Sequence, residues 1–535
     1  MNEGTEHAGA ASPPAAPVRV GRAIWLSAAT MTSRLLGLVR DQIFAILVGA
    51  NRFSDAFVVA FRIPNLLRDL FAEGALSSAF VPAFAEAHRN DGREAAYRLA
   101  NVVIALVLLV VGALTLLGML FSDAVVAAIA PGLRERELAA LLTRVMMPFL
   151  LLVSLSATAM GMLNAQSRFT APALAPALFN VGSIAVGVAL WLAGWPPERA
   201  VIGWSAGTMV GGVLQLTVQI PSLARLGYRV RPLLSRADLQ DPRLRRIGRL
   251  MAMAVIGLSA TQVNIVVNTW FASRDVGAPS WLQYAFRLMQ LPLGVFGVAI
   301  ATVAGAGVAQ RAAANDMAAV RATLGSAMRL VAFLNVPSAV GLVVLARPII
   351  AMIFQHGRFG AADTDATAQA LVFYALGLYA YSGVKVFAPA FYAVDEARVP
   401  LVGSILGMAS NVLLNVALYP VLGFRGVALG TSLAALVNFG VLAAAWRRLH
   451  GGLGEVGLFR QLGKVLAASA VLAAAAWGTE GGLDHLLPRG GLGRQLALGL
   501  VPVLAGALAC LAAARALRIS ELGELASALR RRSSR

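Results

Sequence analysis

Ser33-Arg34-Leu35-Leu36-Gly37-Leu38-Val39-Arg40-Asp41, continued by Ser54-Asp55-Ala56-Phe57 and by Arg68-Asp69-Leu70-Phe71-Ala72-Glu73-Gly74, places charge in a chain that is otherwise apolar for long runs. Arg34, Arg40, Asp41, Asp55, Arg62, Arg68, Asp69 and Glu73 all fall within two hydrophobic segments. One Arg or Asp at the centre of a bilayer costs roughly 2.5–3.5 kcal/mol even on lenient insertion scales. A set of this size cannot face lipid. It must line an interior filled with water or substrate.

The surrounding composition fixes the class. Of 535 residues, 58% are hydrophobic and 13% charged, where a soluble domain carries about 25% charge. Apolar runs recur along the whole length, which reads as a polytopic membrane protein. Hydrocarbon leaves only helices or a closed barrel as spanning structures. Barrel strands alternate polar and apolar over about 10 residues, whereas the runs here last about 20 or more. The chain is therefore expected to be an all-α membrane protein of 14 transmembrane helices. The expected spans are 23–50, 54–87, 95–121, 138–165, 169–194, 199–224, 247–273, 279–308, 326–355, 365–391, 399–420, 426–446, 463–478 and 494–514.

Residues 1–22 are Ala/Pro/Gly-rich and read as a disordered cytoplasmic tail, and the charges that follow are unlike a cleavable signal segment. The net charge of +19 suggests basic cytoplasmic loops rather than a nucleic-acid partner. Arg225, Arg229, Arg231, Arg236, Arg243, Arg245, Arg246 and Arg249 cluster between two spans, and Arg530, Arg531, Arg532 and Arg535 close the chain. An even number of spans with this asymmetry puts both termini in the cytoplasm.

An internal repeat organises the spans. Ala60-Phe61-Arg62 recurs as Ala285-Phe286-Arg287, Phe71 maps onto Phe296, and Gly207-Thr208 recurs as Gly430-Thr431. The offset is about 225 residues, or six spans, a plan recurrent among transporters. Two pseudo-repeated six-helix lobes, 23–224 and 247–446, are expected around a central cavity, joined by a basic linker at 225–246. Residues 447–514 hold two extra C-terminal helices, and 515–535 form a basic tail.

Spacing places the charges. Arg34 and Asp41 are seven apart and share a helix face; Asp55, Arg62 and Asp69 form a stripe with Glu73, although Pro64 kinks their helix. The acids have two readings, interhelical salt bridges or cavity and gate groups. Arg34, Arg40, Arg68 and Arg287 have no obvious one-to-one acid partners along the sequence. Converging guanidinium forks suit a diphosphate or polyphosphate better than a halide. Lys385 is a further cavity candidate that a helix end would let snorkel. Asn411 and Asn415, and likewise Asn264 and Asn268, are one turn apart and suit interhelical hydrogen bonds or weak cation ligation. No P-loop pattern occurs, and five histidines with the lone Cys510 make no metal cluster, so an enzyme is not expected.

At these residues the chain resembles a known family. Ser33-Arg34-Leu35-Leu36-Gly37, Arg40-Asp41, Asp55-Ala56-Phe57, Pro64-Asn65-Leu66-Leu67-Arg68 and Phe71-Ala72-Glu73-Gly74-Ala75 closely resemble the MurJ (MviN) lipid II flippase family, of the multidrug/oligosaccharidyl-lipid/polysaccharide exporter superfamily. The likeness continues through Tyr284-Ala285-Phe286-Arg287, Phe354-Gln355-His356-Gly357-Arg358-Phe359 and Lys385-Val386-Phe387-Ala388-Pro389.

The resemblance implies movement of undecaprenyl-diphosphate-linked disaccharide pentapeptide, lipid II, from the inner to the outer leaflet of the cytoplasmic membrane for peptidoglycan synthesis. It implies that Arg34, Arg40, Arg68 and Arg287 hold the diphosphate, that Asp55 is functionally important, and that Asp41 and Glu73 are gate or cavity groups. It also implies a lipid-tail groove at 463–478 and 494–514. Some members carry acids where this chain has Phe286 and Gln290. Some bind sodium where it has Asn411, Asn415, Asn268, Val427 and Thr431; without a carboxylate, hard-cation affinity falls. Coupling to membrane potential or protons is then expected over sodium, with no cofactor. Cell-wall synthesis proteins are possible partners. The alternatives are an exporter of another polyprenyl-linked glycan or of drugs, and a non-transporting scaffold of cell-wall assembly.

Overall fold

The computed structural model describes residues 20–523 apart from 233, 454 and 489; the expected tail at 1–22 lies almost wholly outside them, as do Arg530 to Arg535. The described residues are helical with no strand. The first half comprises α1 (Val20–Val48), α2 (Arg52–Arg68), a π-helical segment (Asp69–Leu76), α3 (Ser77–Asn90), α4 (Gly92–Leu120), α5 (Ser122–Ile129), α6 (Arg136–Met146), α7 (Pro148–Ala165), α8 (Thr170–Leu192), α9 (Pro197–Thr217) and α10 (Ile220–Arg225). A linker with α11 (Arg236–Leu239) leads to α12 (Pro242–Ala272). Then come α13 (Ala278–Pro292), a second π segment (Leu293–Gly297), α14 (Val298–Ala313), α15 (Met317–Val344), α16 (Ala346–Phe354), α17 (Ala361–Ala375), α18 (Leu378–Ala393), α19 (Arg398–Leu422) and α20 (Phe424–His450). The chain ends in α21 (Glu455–Leu486) and α22 (Leu492–Ala516).

Among the described residues, ten helices are long and apolar enough to cross a membrane, or 11 if the bent pair α17 and α18, at 43°, is one span. The charged helix α1 is not among them. The charges that mark the interior thus also hide this helix from a hydropathy test. Two expected spans need correction. The run 326–355 is a long helix, α15, broken at Leu345 from the short α16, and the expected 463–478 extends to the whole of α21. Hydropathy cannot see the break, because Ala346–Phe354 is as apolar as the span before it.

Local chemistry explains the breaks that matter. Asn51 starts α2 with a capping box: its side chain accepts from the Phe53 and Ser54 N–H groups, and the Ser54 hydroxyl accepts from the Asn51 N–H at 2.8 Å. Pro64 removes a ladder donor from α2 just before the first π segment, and Pro292 immediately precedes the second.

Close packing of α8 and α9 relies on small residues. A Cβ on Gly211 would stand 2.5 Å from the Phe179 carbonyl oxygen. Lipid tails are as apolar as leucine, so such close van der Waals approach does what apolar burial does in water. Gly211→Leu should lower stability by about 1–3 kcal/mol, read as an earlier thermal transition in detergent. Gly440→Ala, where nothing lies within 4 Å, should leave the transition in place.

Candidate functional site

The charged stripe of α2 faces the second half along its whole length. Asp55, 2% exposed, accepts from the backbone N–H of Gly277 at 2.6 Å and of Ser280 at 3.2 Å, and from the Ser280 hydroxyl at 2.8 Å. Gly277 is the N-cap position of α13, with φ of 90°. Asp55 therefore caps a helix of the other half, supplying a carboxylate to orphan donors that no neighbouring residue satisfies. The Ser54 and Ser280 hydroxyls meet at 2.9 Å beside it.

Two backbone contacts complete this latch. The Arg358 N–H donates to the Ile46 carbonyl at 3.1 Å, and Gly49 (φ 81°) and Gly357 (φ 59°) leave room for it: their Cβ atoms would lie 2.7 Å from the Arg358 oxygen and 2.6 Å from the Ile46 oxygen. The Gly132 N–H donates to the Ser273 hydroxyl at 3.1 Å.

Below the latch, Asp41 joins the halves. Its carboxylate takes Arg40 at 2.8 Å on one oxygen and the Arg287 Nε at 2.8 Å on the other. Asp41 is 6% exposed, and Phe44, Phe57 and Trp204 pack between it and the latch, Phe44 lying 4.7 Å from Phe57 and 5.1 Å from Trp204. Arg68 pairs with Asp69 at 2.9 Å. The expectation of arginines without acid partners is thus corrected for three of them. The pairing of Arg287 is invisible in the sequence because its acid lies in another half of the chain.

A cavity of about 530 Å³ opens beside these pairs. Arg62, Arg68, Asp69 and Asn65 of the first half and Arg287, Gln290, Tyr374 and Thr431 of the second line it. The Arg62 guanidinium donates to the Thr269 hydroxyl across the interface. Arg40 stands behind the wall, in reach through the shared Asp41. Arg34 does not line the cavity: it is exposed, lies against Gly294 of the second π segment where a Cβ would overlap its guanidinium, and has Lys385 nearby. The Glu73 side chain lies outside the described residues. Guanidinium groups outnumber carboxylates around the cavity, so it suits a polyanionic headgroup.

The carboxamides form one network at its edge. Asn268 donates to the Thr431 hydroxyl at 3.0 Å, Asn411 to the same oxygen at 3.4 Å, and Asn415 to the Asn268 oxygen at 2.7 Å. Asn415 also donates to the Asn411 oxygen at 3.3 Å, its own side-chain oxygen is left without a partner, and no carboxylate stands among these groups. No group of three or more His, Cys, Asp or Glu able to hold a metal occurs among the described residues. Sequence reasoning missed the capped α13 and the 355–360 loop of the latch. The signal for the first was Gly277-Ala278-Pro279-Ser280, a helix start without an acidic cap of its own.

A family model described as "Lipid II flippase MurJ" matches residues 44–487. The chain belongs to the lipid II flippase MurJ family. A "Probable lipid II flippase MurJ" of Vibrio cholerae is 35% identical over 443 residues, covering 80% of this chain and 82% of the relative. A "Lipid II flippase MurJ" of Burkholderia cenocepacia is 35% identical over 456 residues, covering 84% and 87%. A solved structure titled "Lipid II flippase MurJ, inward closed conformation" superimposes with a TM-score of 0.75 at 26% identity, covering 92% of this chain and 99% of that one. An inward-facing multidrug transporter of the MATE family gives a TM-score of 0.66 at 17% identity, a likeness of fold alone. The family match starts at residue 44, after Ser33 to Asp41.

Ser54→Cys with Ser280→Cys should form a disulfide on mild oxidation, because the two oxygens already touch and Cys510 is the one native cysteine. Protease cleavage in the 225–235 loop followed by non-reducing electrophoresis reads it. Adding Asp55→Ala should slow the cross-link several-fold, since removing a charged acceptor from buried donors costs about 1–3 kcal/mol.

Proposed function

We propose that this chain moves lipid II from the inner to the outer leaflet of the cytoplasmic membrane by alternating access. The observation that carries the reading is the cationic cavity between the halves, closed on one side by the latch, in a member of this family. Arg68 and Arg287 take the diphosphate in the cavity. Arg40 orients Arg287 through Asp41, and Arg34 with Lys385 meets the diphosphate at the cavity's flank. Arg62, Asp69 and Glu73 complete the wall, and Asp55 is the gate.

The finer architecture is 14 spans in two repeated lobes, 23–224 and 247–446, with the two helices in 447–514 holding the lipid tail. Reciprocal contacts support the repeat. Arg62 and Arg287 are repeat counterparts, and each reaches into the opposite half, to Thr269 and to Asp41. Asp55 touches its own counterpart, Ser280. Gly132 meets Ser273, and Gly357 with Arg358 meets Ile46 and Gly49, at a spacing of about 225 residues in both partners. The basic linker and the loop at Asp91 share the face opposite the latch, joined by Arg243 and Asp91. That supports a cytoplasmic position for both termini and an external one for the latch.

Arginines must bind the diphosphate and release it. An empty, positively charged carrier feels the membrane potential at about 2.3 kcal/mol per charge per 100 mV, which favours its inward return. The all-carboxamide network supports potential or protons over sodium as the coupling force.

Arg68→Ala or Arg287→Ala should lose complementation in cells depleted of their own flippase, at normal membrane levels. Each substitution removes a charge-assisted contact of about 1.5–3 kcal/mol, roughly 10–100-fold in affinity. A leaflet-accessibility assay in proteoliposomes separates transport from a scaffold role. Wild-type movement of lipid II by a variant with Arg34, Arg40, Arg68 and Arg287 all replaced by Ala overturns the reading. Replacing sodium with choline should leave the rate unchanged, whereas an ionophore that collapses the potential should slow it several-fold.

A further inference from the structure

A second site lies on the opposite side of the first π segment from the cavity. It has two neighbouring parts. A polar pocket of about 540 Å³ opens at the start of α4, with Asp91, Arg98, Asp238 and Arg243 on its wall. Directly along the same helices sits an apolar pocket of about 200 Å³, lined by Phe71, Val103, Val107, Ile247 and Met251 among others. Leu244 belongs to both walls. Val102 of the polar part and Val103 of the apolar part are consecutive on α4. Ser154 is the one polar side chain described in the apolar part, and its hydroxyl is spent on the Leu150 carbonyl at 2.8 Å.

The step from charge to hydrocarbon therefore takes about one helical turn. It occurs where α4 passes from its charged first turns into an 18-residue stretch of mean hydropathy 2.9. That is the profile of an amphiphile standing upright at the interface.

The charges of the polar part select the headgroup. Arg98 pairs with Asp238 at 2.9 Å, and Arg243 pairs with Asp91. Both signs are present, with Asp241 adding a further carboxylate that accepts from the Arg243 N–H at 2.8 Å. A purely anionic headgroup would meet three aspartates. A headgroup carrying one phosphate and one ammonium finds a partner for each, guanidinium for phosphate and carboxylate for ammonium. The Ser235 hydroxyl first, then its backbone N–H and Arg98, hold the Asp238 carboxyl below the usual range.

We propose that this two-part pocket binds a zwitterionic glycerophospholipid of the phosphatidylethanolamine type, its headgroup among Arg98, Arg243, Asp91 and Asp238 and part of one acyl chain between α4 and α12. The site stands apart from the cargo cavity and does not depend on the cargo's identity. Its wall includes Phe71 and Leu76 of the π segment that also carries Asp69 to the cavity. A bound lipid packs against the one irregular turn that borders both.

Native mass spectrometry of the full chain in detergent, with equal phosphatidylethanolamine and phosphatidylglycerol of the same acyl chains, tests it. One phosphatidylethanolamine should survive collision energies that strip other lipids, and Val107→Trp, which fills the apolar part, should reduce that species at least tenfold. Equal retention of phosphatidylglycerol overturns the headgroup assignment, and undiminished retention by Val107→Trp overturns the site. Should that variant fail to fold, the wild-type chain decides. A phosphatidylethanolamine with a diazirine in its acyl chain should label peptides containing 103–111 and 244–251. Labelling confined to other helices overturns the proposal.

Discussion

Asp41 is a carboxylate buried among aromatic rings, and the two guanidinium groups that make its burial tolerable come from different halves of the chain. Leaving such a charge with a partner removed costs about 3–5 kcal/mol. Apolar contact offers little to hold membrane helices together, because lipid competes for the same surfaces. Charge does what hydrophobic burial does in a soluble core. It ties α1 to α13 through Asp41 and Arg287, while Arg34 lies against Gly294 of the second π segment. The cavity, its cationic wall and the latch above it all follow from that seam.

The latch is built differently. Its contacts are backbone donors and carbonyls, serine hydroxyls, glycines that permit close approach, and one capping carboxylate. The neutral contacts are each worth about a kcal/mol net and those to the carboxylate about 1.5–3. A seam of ionic contacts thus lies below a face of reciprocal, mostly neutral ones. The aromatic packing of Phe44, Phe57 and Trp204 keeps the two levels separate.

The first π segment lies between the cavity and the apolar pocket. Asp69 at its start borders the cavity between the halves, while Phe71 and Leu76 border the apolar pocket against α12. A widened turn packs less regularly than an α-helical one, and here that irregularity leaves room on both sides.

Much of this was legible in the residues. Composition required membrane helices, and charges too costly for lipid required an interior. The recurrence of Ala-Phe-Arg raised the expectation of two related halves with Arg62 and Arg287 as counterparts. The break at Leu345 was not legible, because apolar sequence continues through it. Nor was the separation of Arg34 from the cavity that Arg68 and Arg287 share, or the choice of Asp41 as the acid for Arg287. Periodicity reads one helix at a time and states which face a side chain occupies. It does not state which distant helix meets that face. The sequence by itself determined that charge must be enclosed and on which helices. Only the tertiary structure decided which guanidinium meets which carboxylate, because those partners lie in different halves of the chain and their pairing is set by how the halves pack.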